Sequence, residues 1–226
     1  SLDEGLSGSP KLGLIVLSTD ETLESEARQV FAGREATLLH ARIQAEPDVT
    51  PAALALMEER LPSVASLLPS GLSVIGYACT SAATVIGPEE VEKILQKQHA
   101  DASVTNPISA VIAALHAVKA KRLALVTPYV KEVTAPMKAL LERNGFTTAS
   151  EGAFEQSDDQ TVARITQAST LAAILDVANS DCDAVFVSCT NLRSFGILEQ
   201  AEQALGRPVI SSNQALLWHM LKLSNT

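Results

Sequence analysis

The chain has 226 residues, of which 46% are hydrophobic and 19% charged, a balance that is typical of globular proteins and argues against disorder. Its formal net charge of −9 comes without a basic cluster, which argues against nucleic acid as a partner. No apolar run approaches the roughly 20 residues that a membrane span needs, so we expect no membrane association.

Short apolar runs that end abruptly in small polar residues predict buried parallel strands leading into loops. In chain order, these predicted strands are Leu12–Leu17, Leu72–Tyr77, Leu123–Val126, Ala184–Val187 and Pro208–Ile210. The predicted helices, also in chain order, are Glu21–Ala32, Pro51–Leu68, Pro88–Lys97, Ser109–Ala120, Thr134–Asn144, Thr170–Ala178, Ile197–Leu205 and Gln214–Leu223. Strands and helices alternate, so the predicted fold class is α/β with parallel sheets.

The two halves of the chain repeat one pattern. The first predicted strand leads into Ser18, Thr19 and Asp20, and the third leads into Thr127, Pro128 and Tyr129. A later strand in each half ends on a cysteine: Cys79 lies 59 residues after Asp20, and Cys189 lies 60 residues after Tyr129. This repeat predicts two similar Rossmann-like lobes related by a pseudo-twofold axis.

We expect the first lobe to cover residues 11–105 and the second lobe to cover residues 106–226. A linker is predicted near residues 102–109, where Asn106-Pro107 breaks the helical pattern. The final helix, residues 214–223, could pack back onto the first lobe. Ligands of open α/β sheets bind beyond the carboxyl ends of the strands, so both cysteine loops should meet in one active-site cleft between the lobes.

The three cysteines lack a CxxC spacing, which argues against disulfides or a zinc site and favours a reducing compartment, the cytoplasm. Cys182 precedes its strand and is flanked by two aspartates that would disfavour a thiolate, so we give it no catalytic role.

Cys79 and Cys189 each follow a strand and are each followed by a threonine, Thr80 or Thr190. Hydroxyl groups and backbone N–H groups of such loops form an anion-binding nest, which would stabilise a thiolate or a substrate carboxylate. The alternative is that both are ordinary strand-to-helix turns with incidental, buried cysteines.

Two thiols that face one substrate allow several reactions. Acid/base groups on opposite faces of one carbon give a racemase or epimerase. A thiol that adds beside a double bond, allows rotation and leaves gives a cis–trans isomerase. A single useful thiol that protonates an enediolate after loss of CO₂ gives a decarboxylase, and a cleft without turnover gives a ligand-binding protein.

None of these reactions requires a metal or an organic cofactor, because an oxyanion-type nest polarises the substrate carboxylate. The sequence contains no GxGxxG, no P-loop and no His/Glu ligand cluster. We therefore expect neither a cofactor nor a metal. The expected partners are a small carboxylate or amino-acid substrate and further copies of the chain, in a dimer or tetramer.

Four segments carry a family resemblance over nearly the whole chain: residues 12–16, 76–79, 121–129 and 187–190. They resemble the aspartate/glutamate racemase superfamily, in the branch that contains maleate cis–trans isomerase and arylmalonate decarboxylase. The resemblance implies an isomerase or racemase with Cys79 and Cys189 as catalytic residues and an active-site tyrosine at Tyr129. Arylmalonate decarboxylases keep only the second cysteine, so the presence of both counts against decarboxylation.

Other segments resemble the ectoine-utilisation proteins of this branch, namely residues 79–82, 158–165 and 212–219. This resemblance implies a role in ectoine degradation. Maleate isomerases carry asparagines where this chain has Asp20 and Asp159. An aspartate repels a carboxylate and attracts an ammonium group, so the substitutions favour an amino-acid-like substrate. The alternative is that both aspartates are helix N-caps.

The remaining candidates are polar side chains of the same loops, which could hydrogen-bond a substrate. The phenol of Tyr129 could hydrogen-bond a substrate carboxylate, and the alternative is a half-buried aromatic with a packing role. The full set of predicted substrate-binding residues is Ser18, Asp20, Thr80, Ser81, Thr127, Tyr129, Asp159, Thr190 and Asn213.

Overall fold

Two four-stranded parallel sheets organise the computed structural model, which describes residues 9–178 and 181–226. The first sheet has the order β2-β1-β3-β4, with β1 (Lys11–Leu17), β2 (Thr37–Ile43), β3 (Val74–Ala78) and β4 (Ser103–Thr105). The second sheet has the order β6-β5-β7-β8, with β5 (Arg122–Tyr129), β6 (Thr147–Gln156), β7 (Ala184–Val187) and β8 (Val209–Ser211). The orders are equivalent, so the predicted α/β fold with two similar lobes is confirmed.

The helices lie between and beside these strands. They are α1 (Leu23–Phe31), α2 (Pro51–Ala65), α3 (Thr80–Ile86), α4 (Pro88–Gln96), α5 (Pro107–Ala117), α6 (Lys131–Arg143), α7 (Asp159–Val162), α8 (Gln167–Val177), α9 (Phe195–Leu205) and α10 (Ser212–Ser224). Side-chain N-caps explain where several of these helices begin. Thr50 accepts a hydrogen bond from the N–H of Ala53, and Asn106 accepts one from Ser109, each followed by a proline that suits the first turn.

The strands that the apolar runs missed are β2, β4 and β6. Strands β2 and β6 are the edges of their sheets, and β6 alternates between exposed and half-buried residues. An edge strand buries less of its surface than a central strand, so it lacks a continuous apolar run. Strand β4 has three residues and lies within the segment predicted as a linker, which also holds the start of α5.

Helix α6 begins at Lys131, so the predicted start at Thr134 is wrong. Pro136 lies inside the helix, and the hydroxyl of Thr134 donates to the carbonyl of Val130 at 3.2 Å. The predicted end is confirmed, because Asn144 is the C-cap and Gly145 follows with a φ of 86°.

Helix α10 follows the last strand of the second sheet but packs against the first sheet. Its Leu216, Leu217 and Met220 are buried in one cluster with Leu12, Leu14 and Val16 of β1. At Gly76 of β3, a Cβ would lie 2.5 Å from the sulfur of Met220, so only glycine allows the helix to approach this closely. The start of α10 therefore lies where the two lobes meet. The boundary at residues 105 and 106 stays a prediction.

Among the residues that the structure describes, no helix combines the length and apolar character needed to span a bilayer.

Candidate active site

The two cysteines of the repeat lie at equivalent strand ends and are both buried. Cys79 directly follows β3 and caps α3, and its sulfur accepts a hydrogen bond from the N–H of Ala82 at 3.3 Å. Cys189 follows β7 after one residue, and its sulfur accepts from the N–H of Asn191 at 3.3 Å. The backbone of Cys189 has a φ of 110°, a left-handed conformation that is strained for any residue except glycine.

A chain of polar groups lies beside Cys189. The hydroxyl of Tyr129 is 3.2 Å from the sulfur of Cys189 and donates to Oδ1 of Asp159 at 2.9 Å. The hydroxyl of Thr19 donates to Oδ2 of Asp159 at 2.6 Å. Asp159 is 2% exposed, and Asp158, not Asp159, caps α7 by accepting from the N–H of Thr161. The N-cap alternative for Asp159 is therefore wrong, and its carboxylate points into the site.

Asp20 lies at the end of the first-lobe loop, just before α1, whose N-cap is Thr22. Its Oδ1 accepts the N–H groups of Thr22 and Leu23, both at 2.8 Å, and a side-chain hydrogen bond from Thr190 also lowers its pKa. Burial raises the pKa of Asp20 from 3.8 to about 7, and the charge of Asp159 adds to this rise. Near neutral pH, this carboxyl group is thus divided between its neutral and ionised forms.

Both thiols are held neutral. Burial raises the pKa of Cys79 to about 12, and it raises the pKa of Cys189 well above the usual range. The nearby carboxylates of Asp159 and Asp20 raise both values further, while the backbone N–H groups of Ala82 and Asn191 oppose the rise. At both cysteines, burial outweighs the backbone donors, so the pKa of each thiol lies above its usual value.

Hydrogen bonds across the lobes hold the two cysteine loops together. The hydroxyl of Ser212, at the start of α10, accepts from the hydroxyl of Thr80 at 2.9 Å and from the N–H of Cys189 at 3.0 Å. The side chain of Asn191 donates to the carbonyl oxygens of Asp159 at 3.0 Å and Thr19 at 3.3 Å. Sequence reasoning missed Ser212, Asn191 and Thr19, although each adjoins a residue that it selected.

A small cavity of about 20 Å³ brings four of the predicted residues together, and Thr19 also lines it. The four predicted residues in its wall are Cys79, Ser81, Tyr129 and Asp159. Residues 47–49 pair with residues 157–159 at one side of the cavity: the N–H of Val49 donates to the carbonyl of Ser157 at 2.7 Å, and that of Asp159 donates to the carbonyl of Pro47 at 2.9 Å. Such a volume holds about one water molecule, so this conformation of the site has no room for a substrate.

The other predicted polar residues hold loops in place. Ser18 is exposed and accepts from the N–H of Ala45 at 2.9 Å, and Thr127 contacts the hydroxyl of Thr134 at 3.3 Å. Thr190 donates to the carbonyl of Ala78 at 3.4 Å, and Asn213 donates to Glu26 at 2.7 Å. Each of these side chains is occupied by a protein partner and lies outside the wall of the cavity, because short polar side chains at strand ends are recruited to fix the turns.

The fold and the site thus define a doubled α/β protein with a buried cysteine at each of two equivalent strand ends. The family model of arylmalonate decarboxylase matches residues 12–226, and the chain belongs to this family.

Several relatives that match nearly the whole chain are maleate isomerases. Maleate isomerase of Nocardia farcinica is 32% identical over 95% of this chain and 90% of its own length. Maleate isomerase of Pseudomonas putida is 30% identical over 94% of this chain and 90% of its own length. These relatives make the chain a maleate isomerase-like protein of the family, so the branch predicted from the motifs is confirmed.

A solved structure agrees with this placement. It is a cysteine-to-serine mutant of the Nocardia farcinica maleate cis-trans isomerase with a covalently bound succinylcysteine intermediate. It superimposes with a TM-score of 0.86 at 30% identity, covering 96% of this chain and 94% of that chain. The predicted closeness to ectoine-utilisation proteins stays a prediction.

Proposed function

We propose that the protein is a cofactor-independent isomerase in which Cys79 and Cys189 act on a small carboxylate or amino-acid substrate. The observation that carries this proposal is the placement of the thiols at the ends of β3 and β7, around the shared carboxyl groups of Asp20 and Asp159. The maleate isomerases among its relatives support an isomerase rather than another class of enzyme.

Two isomerisation routes fit such a pair of thiols. In racemisation, one thiolate removes the α-proton and the opposite thiol returns a proton to the other face. In cis–trans isomerisation, one sulfur bonds to a carbon of the double bond while the neighbouring carbon takes a proton from the second thiol. Rotation about the new single bond and reversal of both steps then release the isomer. The succinylcysteine in the Nocardia relative is an adduct of this second kind.

The carboxyl groups of the site favour an amino-acid-like substrate over a dicarboxylate. Asp159 lines the cavity, and a second acidic side chain, Asp20, lies near both thiols. An ionised carboxylate attracts a substrate ammonium group and repels a substrate carboxylate. We therefore propose that the substrate carries an amino group next to its carboxylate, and a role in ectoine breakdown would fit that chemistry. A cytoplasmic location and a homo-oligomer are proposed with it.

Proton exchange in D₂O tests this function. Each candidate, meaning D- and L-amino acids and maleate, is incubated with the protein and followed by NMR. We expect deuterium at the α-carbon of one amino acid and inversion of its configuration, and no exchange with Cys79→Ala or Cys189→Ala. Cys182→Ala is the matched control, because Cys182 lies outside the site, and it should keep full activity.

Three outcomes would contradict parts of the proposal. Full turnover by Cys79→Ala would exclude the use of both cysteines. Conversion of maleate without exchange of any amino acid would exclude the amino-acid substrate but keep the isomerase. Stoichiometric binding without exchange or conversion would make the protein a ligand-binding protein.

A decarboxylase is the second candidate, since arylmalonate decarboxylase of Bordetella bronchiseptica is 25% identical over 72% of this chain and 65% of its own length. The presence of Cys79 beside Cys189 counts against it. We expect no release of CO₂ from phenylmalonate, and a measurable release would favour this candidate.

A further inference from the structure

The two cysteines differ in their side-chain partners, although the repeat makes their positions equivalent. The sulfur of Cys189 lies 3.2 Å from the hydroxyl of Tyr129. In the described part of the chain, the sulfur of Cys79 has no side-chain hydrogen-bond partner and accepts only from backbone N–H groups, those of Ala82 and Ser81. A direct path for a proton therefore leads away from one thiol and not from the other.

The order of the hydrogen atoms along this path follows from the chemistry of the groups. A carboxylate has no hydrogen to donate, so the hydrogen between Tyr129 and Asp159 belongs to the phenol. The phenol has only this one hydrogen, which leaves its oxygen as the acceptor for the S–H of Cys189. The three groups form a directed chain from thiol to phenol to carboxylate.

We propose that Asp159 is the proton acceptor of Cys189 and that the phenol of Tyr129 carries the proton between them. The S–H proton moves to the oxygen of Tyr129 while the O–H proton of Tyr129 moves to Oδ1 of Asp159. The products are a thiolate and a neutral carboxyl group, and the phenol is unchanged. The reverse transfer returns the proton to Cys189, which deepens the proposed function because an acid/base thiol must both release and regain its proton.

The surroundings hold Asp159 in position for this role. Thr19 donates to its second carboxylate oxygen at 2.6 Å, and Asn191 donates to its main-chain oxygen at 3.0 Å. Asp159 and Tyr129 are 2% and 6% exposed, so bulk water has little access to the path. The relay thus supplies a proton acceptor for Cys189 at a place that bulk water does not reach.

The titratable groups that act on Cys189 are Asp159, Tyr129 and Asp20, and Cys79 acts on Tyr129. Of the two carboxyl groups, Asp20 has one oxygen committed to the N–H groups of Thr22 and Leu23. Among the residues described here, only Asp159 is joined to the thiol through a hydrogen-bonded side chain.

A charge effect of Asp159 and a proton relay predict opposite results. A fixed negative charge disfavours a nearby thiolate, whereas a proton acceptor assists the formation of that thiolate.

The pH dependence of alkylation by iodoacetamide tests the relay without any substrate. The rate at each cysteine is followed by peptide mass spectrometry between about pH 6 and pH 9, at reagent concentrations where it is first order in iodoacetamide. A thiol without a base slows about tenfold for each pH unit below its pKa, because only the thiolate reacts. For wild-type Cys189 we expect the alkylation rate to reach a plateau below pH 8, where it changes less than about twofold per pH unit. The alkylation rate of Cys79 should follow the tenfold dependence.

The variants separate the relay from charge alone. Asp159→Asn and Tyr129→Phe should each abolish the plateau at Cys189 and leave Cys79 on its tenfold dependence. Asp158→Asn, at the neighbouring aspartate that caps α7, is the matched control and should keep the plateau.

Two results would overturn the relay: a tenfold dependence at wild-type Cys189, or a plateau that survives in Asp159→Asn or Tyr129→Phe. Because no substrate takes part, a failure here leaves the proposed isomerase untouched. A protein that shows the plateau but no isomerisation would keep the relay and lose the proposed function.

Discussion

The backbone at Cys189 is the residue-scale feature that separates the second cysteine from the first. Its φ of 110° is a strained conformation for a side chain with a Cβ, whereas Cys79 has an ordinary extended φ of −146°. Such strain costs roughly 1–3 kcal/mol and persists where the surrounding structure holds the residue. At Cys189, the hydrogen bond from its N–H to the hydroxyl of Ser212 holds the backbone in this conformation.

Cys189→Gly should therefore be more stable than Cys189→Ala by about 1 kcal/mol, since both lose the thiol and only alanine keeps the Cβ. Urea unfolding of both variants measures this difference in the free energy of unfolding. The matched pair is Cys79→Gly and Cys79→Ala, for which alanine should be at least as stable as glycine. Equal stabilities in the Cys189 pair would show that the backbone there is not strained.

The buried carboxyl group of Asp20 should make stability depend on pH. Its pKa is about 7 in the folded protein against 3.8 as the ordinary value. Because the folded value is the higher one, the contribution of Asp20 is fully present below about pH 4 and is lost as the pH rises to about 7. A shift of this size corresponds to roughly 4 kcal/mol.

Asp20→Asn removes this titration. Relative to wild type, the variant should gain up to roughly 4 kcal/mol in the free energy of unfolding between about pH 4 and pH 8. Denaturant unfolding at several pH values measures the gain, and the exposed Asp101→Asn should show none of it. If the free energies of unfolding of Asp20→Asn and wild type differed by the same amount at every pH in this range, Asp20 would be ionised in the folded protein.

At the scale of elements, one buried carboxylate joins three helices behind the site. Glu26 of α1 accepts the N–H groups of Ser194 and Phe195, at 3.0 and 3.1 Å, where α9 begins. Its second oxygen accepts from the side chain of Asn213 in α10 at 2.7 Å. Asn213 also donates to the carbonyl of Thr190 at 2.8 Å, so this junction supports the loop that carries Cys189.

Glu26→Ala should destabilise the protein by about 3 kcal/mol, because it leaves buried N–H groups without acceptors. Thermal or urea unfolding measures the loss. Glu24→Ala is the control on the same helix, where the carboxylate forms a surface ion pair with Arg42 and should contribute less than about 1 kcal/mol. A similar small effect at both positions would show that water replaces the lost contacts of Glu26.

At the scale of the whole molecule, one helix that follows the second sheet completes the first lobe. Helix α10 follows β8 in the chain, yet its apolar face covers β1 and β3 of the first sheet. A fragment of residues 9–105 would expose that face of the sheet to water. The two lobes are similar in topology, but the first is completed by the last helix of the chain.

The fragment 9–105 should therefore not fold alone. Its far-ultraviolet circular dichroism and its urea titration should show no cooperative transition, whereas the full chain should unfold in one. Addition of a peptide that spans residues 209–226 is the matched test, since it supplies α10. A cooperative transition in the fragment by itself would contradict this expectation.

The central strands and the two cysteines can be predicted from the amino-acid sequence alone. Strands that are buried on both faces, such as β1, β3 and β7, must be apolar throughout, so they are visible as runs of aliphatic residues. The repeat that places Cys79 and Cys189 at equivalent ends is likewise a property of spacing. The edge strands β2 and β6 were not predicted, because half-buried strands have no such run of aliphatic residues.

Which polar groups contact one another depends on the folded chain. Asp159 contacts Thr19 from 140 residues away, and Ser212 bridges two cysteine loops that lie far apart in the chain. The sequence selected Ser18, Thr127 and Asn213 equally with Tyr129 and Asp159, because all are polar residues at strand ends. Hydrogen bonding is directional and depends on positions that the fold sets, so the sequence could list the candidates but could not assign their partners.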